Sequence, residues 1–92
     1  MKYQHKKLDV SFELPDVAAL VQRDVDRFMV AYNAQPPATD STRTVKAALI
    51  AGWVRESGMS VDMVDTLAPR VVRWMARQID ALYAAAIEIP GE

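Results

Sequence analysis

Hydrophobic and polar positions repeat with two different periods along this chain, and the change of period divides it. From Leu8 to Leu14 the period is two: Leu8, Val10, Phe12 and Leu14 fall on one side, Asp9, Ser11 and Glu13 on the other. Strict alternation with β-branched and aromatic members predicts a half-buried strand over 8–14. Pro15 ends it and holds Leu14 extended. Residues 1–7 carry Lys2, Lys6 and Lys7 and no acid, and are expected to form a flexible basic tail.

From Asp16 onward the period is helical. Asp16 offers an N-cap for a first helix over 16–33. A step of about 100° per residue puts Val17, Val21, Val25, Phe28 and Tyr32 on one stripe. Asp24 intrudes on that stripe, and an ion pair with Arg27 one turn on, or a place at the rim, accounts for it. Pro36 and Pro37 stand in a connector that forbids helix. A second helix is expected over 43–57, with Gly58 ending it as a left-handed C′ residue. Its apolar residues, among them Val45, Ala47, Leu49, Ile50 and Trp53, point nearly all round. A helix of that kind is surrounded by protein, so it is read as the central one. Gly52 then falls in mid-helix, and close approach of another backbone is its expected reason. The third helix is expected over 69–87, from Pro69 at its first position to a stop before Pro90 and Gly91. Its stripe is Val71, Val72, Met75, Ile79, Leu82, Tyr83 and Ala86, with Arg70, Arg73, Arg77 and Asp80 opposite.

These elements predict a mostly α fold: a three-helix domain around a central apolar helix, with an N-terminal β-strand or extended arm. The expected core is Val21, Val25, Phe28, Leu49, Trp53, Met75, Ile79 and Leu82. At 92 residues the chain has room for a single domain, 1–92.

Composition then narrows the function. Apolar residues make up 51% and charged residues 25%, the balance of a globular chain rather than a disordered one. Eleven basic and twelve acidic residues leave a net charge of −1, which argues against non-specific binding to phosphate backbones. There is no cysteine, which removes disulfides, thiolate metal sites and cysteine nucleophiles. The uncharged run Ala47 to Val54 is far short of a membrane span, and no apolar stretch follows the basic N-terminus as a secretory signal requires.

Candidate chemistry is sparse. His5 is the one histidine, in the expected tail. Asp62 and Asp65 lie in a connector without a neighbouring histidine or further acid, and no spacing matches a zinc, calcium or phosphate-loop motif. A deep pocket lined by Asp24, Asp62 or Asp65 is what an enzyme would need. The expectation is therefore a non-enzymatic protein, with no catalytic, metal or cofactor-binding residues and no cofactor.

Two features suggest contact with other polypeptides. The strand has no evident partner in the chain, and a strand must pair its backbone groups. Another copy or another protein would then complete it through Leu8, Val10, Phe12 and Leu14. The alternative is an arm lying on its own helices. Trp74 falls about 60° outside the third helix's stripe, beside Arg70. Trp and Arg are enriched at binding hot spots, so Arg70, Trp74 and Arg77 join the candidate interaction residues. Trp74 packed under the connector 59–68, beneath an arginine, is the other reading. The row Arg70, Arg73, Arg77 is either a contact for phosphate or an acidic partner or a solvated face.

The stretch Val10-Ser11-Phe12-Glu13-Leu14-Pro15-Asp16 resembles the strand-then-helix opening of small tailed-phage and prophage tail proteins of the tail assembly chaperone-like kind. Val71-Val72-Arg73-Trp74-Met75-Ala76, through Ile87-Glu88-Ile89-Pro90, is similar to their last helix and apolar-Pro ending. Together these cover about a third of the chain. The resemblance implies a helical assembly factor in the cytoplasm of a bacterial host. It would be a homo-oligomer and bind a protein partner such as a phage tail component, the tape measure among them, with neither nucleic acid nor membrane as partner. The alternative is a DNA-binding regulator or antitoxin of the ribbon-helix-helix kind, which Lys7 to Asp16 and the following helix resemble. There the outward strand positions would be Asp9, Ser11 and Glu13, two of them carboxylates facing phosphates. The connector with Pro36 and Pro37 is also longer than that family's turn.

Overall fold

A computed structural model of the chain describes residues 1–89. The expected stop at Pro90-Gly91 and the Pro of the apolar-Pro ending lie outside them. The fold is mostly helical, with a short two-stranded sheet at the N-terminus. Strands β1 (Lys2–His5) and β2 (Val10–Glu13) form an antiparallel hairpin; helices α1 (Gln22–Asn33), α2 (Asp40–Ile50) and α3 (Pro69–Ile87) follow. Helix α2 packs against both α1 and α3 and is the central one.

The expected flexible tail is the first strand. Lys2 pairs with Glu13, Tyr3 with Phe12, Gln4 with Ser11 and His5 with Val10. Below Lys2 the ladder closes with Met1 and Leu14, which exchange two bonds of 2.6 and 2.9 Å. Glu13 turns its own N–H and C=O the other way and exchanges bonds of 2.8 and 2.9 Å with Arg55. The strand that lacked an evident partner is thus held within one chain, from both sides at its C-terminal end. Its turn, Lys6 to Asp9, carries Asp9 at φ +51°, and the Leu8 N–H donates to Nδ1 of His5 at 3.3 Å. Tyr3 and His5 share the sheet face of Val10 and Phe12, so β1 brings its own half-buried face.

The first helix begins six residues later than expected. Val17–Ala19 form one 3-10 turn, Leu20 and Val21 are extended, and α1 starts at Gln22. Asp16 caps nothing; its carboxylate lies 3.7 Å from the N-terminal amine. The break resets the helical phase, so Val21, expected in the core, is 60% exposed. Asp24 pairs not with Arg27 but with the chain at this break: its carboxylate accepts from the Val21 N–H at 3.0 Å.

The second helix is shifted toward the N-terminus. Thr39 caps it, its hydroxyl accepting from the Thr42 N–H at 3.3 Å. It ends at Ile50, and Gly52, not Gly58, is its C′ residue, at φ +79°. The Trp53 N–H reaches the Ala48 carbonyl at 2.8 Å and the Gly52 N–H the Leu49 carbonyl at 3.2 Å, the two bonds of a Schellman ending. No atom stands within 4 Å of the place a Gly52 side chain would occupy. The glycine therefore serves backbone conformation and not close approach. Residues 51–57, expected as helix, form a loop that drops Trp53 and Val54 into the core.

Helix α3 runs over the residues expected, with Pro69 in its first turn. It turns Val71, Val72, Met75 and Ile79 inward, and Arg70, Arg73, Arg77 and Asp80 outward. At the centre Phe28 stacks on Trp53 with centroids 4.6 Å apart. Phe12, Leu14, Val45, Val64, Met75 and Ile79 close the core around them. Leu49 and Leu82, expected inside, are partly buried at its edge.

Candidate interaction surface

The residues the sequence singled out for binding are divided by the fold. Phe12 and Leu14 are 2% and 1% exposed, buried by the chain's own helices, and so present nothing to a partner. Leu8 and Val10 are half-buried against the same core. Trp74 is partly buried against the core. Its ring meets Phe12 edge to face at 5.5 Å and His5 edge to face at 5.4 Å, so it is the seat of the hairpin on α3. Arg70, Arg73 and Arg77 are exposed and make no ion pair among the described residues.

The carboxylates considered for chemistry are engaged elsewhere or stand alone. Asp65 receives Lys46 at 2.9 Å, an ion pair that ties the 3-10 turn Val61–Thr66 to α2. Asp24 closes the start of α1. Asp62 is exposed. Among the described residues no three His, Asp or Glu side chains gather to hold a metal ion. Asp80 borders a cavity of about 300 Å³ with Thr44, Asp40, Phe28, Tyr32 and Tyr83. Burial holds its carboxyl above the ordinary carboxylate range; the Thr44 hydroxyl works against that shift and the charge of Asp40 adds to it.

The surface that stands out is a groove between α1 and α2. Its walls are Val30 and Ile50, 69% and 54% exposed, and Ala31, Ala34 and Ala51 line it between them. It holds about 490 Å³ and is open along its length. Arg23, Asp26, Arg27 and Gln35 border it. Asp26 accepts from the Gln22 amide at 3.0 Å, and Gln35 donates to the Ala31 carbonyl at 3.2 Å. Arg23 and Arg27 form no ion pair among the described residues, so the border carries unspent positive charge.

The sequence held a signal for this groove. On the α1 wheel Val30 lies about 140° from Val25, among Arg23, Asp26 and Arg27, an aliphatic residue on a charged face. Ile50 gave none, because the run that follows it read as more helix. Only the turn at Gly52 leaves Ile50 at the end of α2, beside α1.

No helix among the described residues is long and apolar enough to cross a membrane. Comparison of the whole chain with family models, curated proteins and solved structures finds no match.

Proposed function

We propose that this chain is a non-enzymatic protein-interaction factor, an assembly factor of the tail assembly chaperone-like kind, and that it works through the α1–α2 groove. One observation supports the reading of a protein contact: two large aliphatic side chains, Val30 and Ile50, flank an open apolar groove bordered by arginines that form no ion pair among the described residues. Exposed apolar surface framed by polar groups is the usual mark of a protein contact. The side chains that border the groove, two arginines, one aspartate and one glutamine, form no nucleophile–base pair. The regulator alternative calls for a strand whose first partner is a second copy, whereas β2 pairs along its length with β1 of the same chain.

A photoreactive amino acid in place of Ile50, with the same residue in place of exposed Asp62 as control, tests the proposal in cells of the natural host. Crosslinks to discrete proteins from position 50, lacking at position 62, are the expected result. Equal labelling from both positions overturns it, as does turnover of a small molecule by the purified chain.

A further inference from the structure

A second exposed apolar feature stands where α3 ends. After α3 the backbone leaves the helix and becomes extended at Glu88, with φ −68° and ψ 130°. The side chains there are Ile87 at 53% exposure and Ile89 at 87%. Ile89 is the most exposed large aliphatic side chain described, and Val30 in the groove is the next. Glu88 stands between the two isoleucines, exposed and without an ion pair among the described residues.

We infer that segment 87–89 of one copy docks in the α1–α2 groove of a second copy. Ile87 closes the last turn of α3, and the extended backbone at Glu88 carries the chain on to Ile89. Ile89 enters the groove between Val30 and Ile50 with Ile87 at its mouth, and Glu88 between them meets Arg27 on the border. Apolar surface and charge are complementary at once. Within one chain both halves are left unsatisfied: the isoleucines are exposed while the groove stands open.

Because groove and tail are different surfaces, the contact is head-to-tail and propagates into a ring or an open chain. Its area is small, so association is expected at micromolar concentration and above.

The inference rests on reading the groove as a protein-docking surface. It is tested on the full chain by light scattering and sedimentation equilibrium over a micromolar to millimolar series. The parent is expected to gain mass with concentration. Ile50→Asp and Ile89→Asp, both at exposed positions, are each expected to keep the parent's circular dichroism and remain at monomer mass. Mixed together, they leave one intact groove and one intact tail, and are expected to form a one-to-one dimer and nothing larger. Arg27→Glu and Glu88→Arg are each expected to weaken association severalfold, and the double exchange to restore it. A parent that stays monomeric throughout overturns the inference, and crosslinks from position 50 would then still uphold the groove as a docking site. Association lost in Ile50→Asp but kept in Ile89→Asp also overturns it, in favour of a groove-to-groove contact. Failure of the mixed pair to dimerise, or of the double exchange to recover, overturns it as well.

Discussion

The rings of Phe12 and Trp74 meet edge to face, 5.5 Å between centroids, and this contact fixes the hairpin to α3. Tyr3 stacks on the other side of Phe12 at 5.4 Å, so the cluster runs from β1 through β2 to the helix. Trp74→Ala is therefore expected to lower stability by about 2–3 kcal/mol, below the range for a fully buried tryptophan because this one is half-exposed. Urea unfolding followed by circular dichroism measures it. A loss near zero would return Trp74 to the role of a surface anchor.

Residues 1–6 supply β1 and the ladder bonds from Met1 to Leu14. Their deletion uncovers Phe12 and leaves the backbone of β2 without a partner on one side. The shortened chain is expected to unfold at markedly lower urea and to aggregate through the uncovered edge. A free basic tail would be removable without effect on either, so the unfolding midpoint decides between the two.

Gly52 sits at φ +79° with open space around it. Gly52→Ala is expected to cost about 1–2 kcal/mol, the penalty of a left-handed backbone at an L-residue. In a helix interior the same change would gain about 1 kcal/mol. The sign of the change in unfolding free energy thus locates the end of α2.

Asp80 gives a pH signature. Its ordinary value is 3.8, and in the fold burial holds the carboxyl above it. The folded state then binds the proton more tightly than the unfolded chain. The contribution to stability is fully present below the unfolded value and is lost as pH rises through the folded one. Asp80→Asn stays neutral throughout, so it is expected to be the more stable protein near neutrality. The advantage should shrink as the solution is acidified through the folded value and be gone below the unfolded one. Urea midpoints of both proteins across a pH series check this, and an advantage that grows in acid contradicts it.

Much of this fold was legible residue by residue. Pro69 at the start of α3 and the stripe Val71, Val72, Met75 and Ile79 mark a helix whose bounds match. A long amphipathic segment with clear punctuation has one low-energy reading. Lys2-Tyr3-Gln4-His5 also alternates, but its inward residues are a tyrosine and a histidine among lysines, and composition outweighed period. Only pairing with β2 shows that these two rings face inward. Of the candidate site, Val30 was visible as an aliphatic residue on a charged face; Ile50 was not, because Gly52 reads equally as a helix interior and as a helix end.

By itself the sequence determined the helical class, the central helix, the course of α3 and the half-buried period of β2, because each depends on side-chain pattern within a single element. The tertiary structure decided where β2 finds its hydrogen bonds, where α1 and α2 begin and end, and which apolar side chains remain uncovered. Those outcomes turn on backbone groups and surfaces brought together from distant parts of the chain: Met1 with Leu14, Glu13 with Arg55, Val30 with Ile50. No local period encodes which of two exposed aliphatic residues will become neighbours; that follows only once the turn at Gly52 has set α2 against α1.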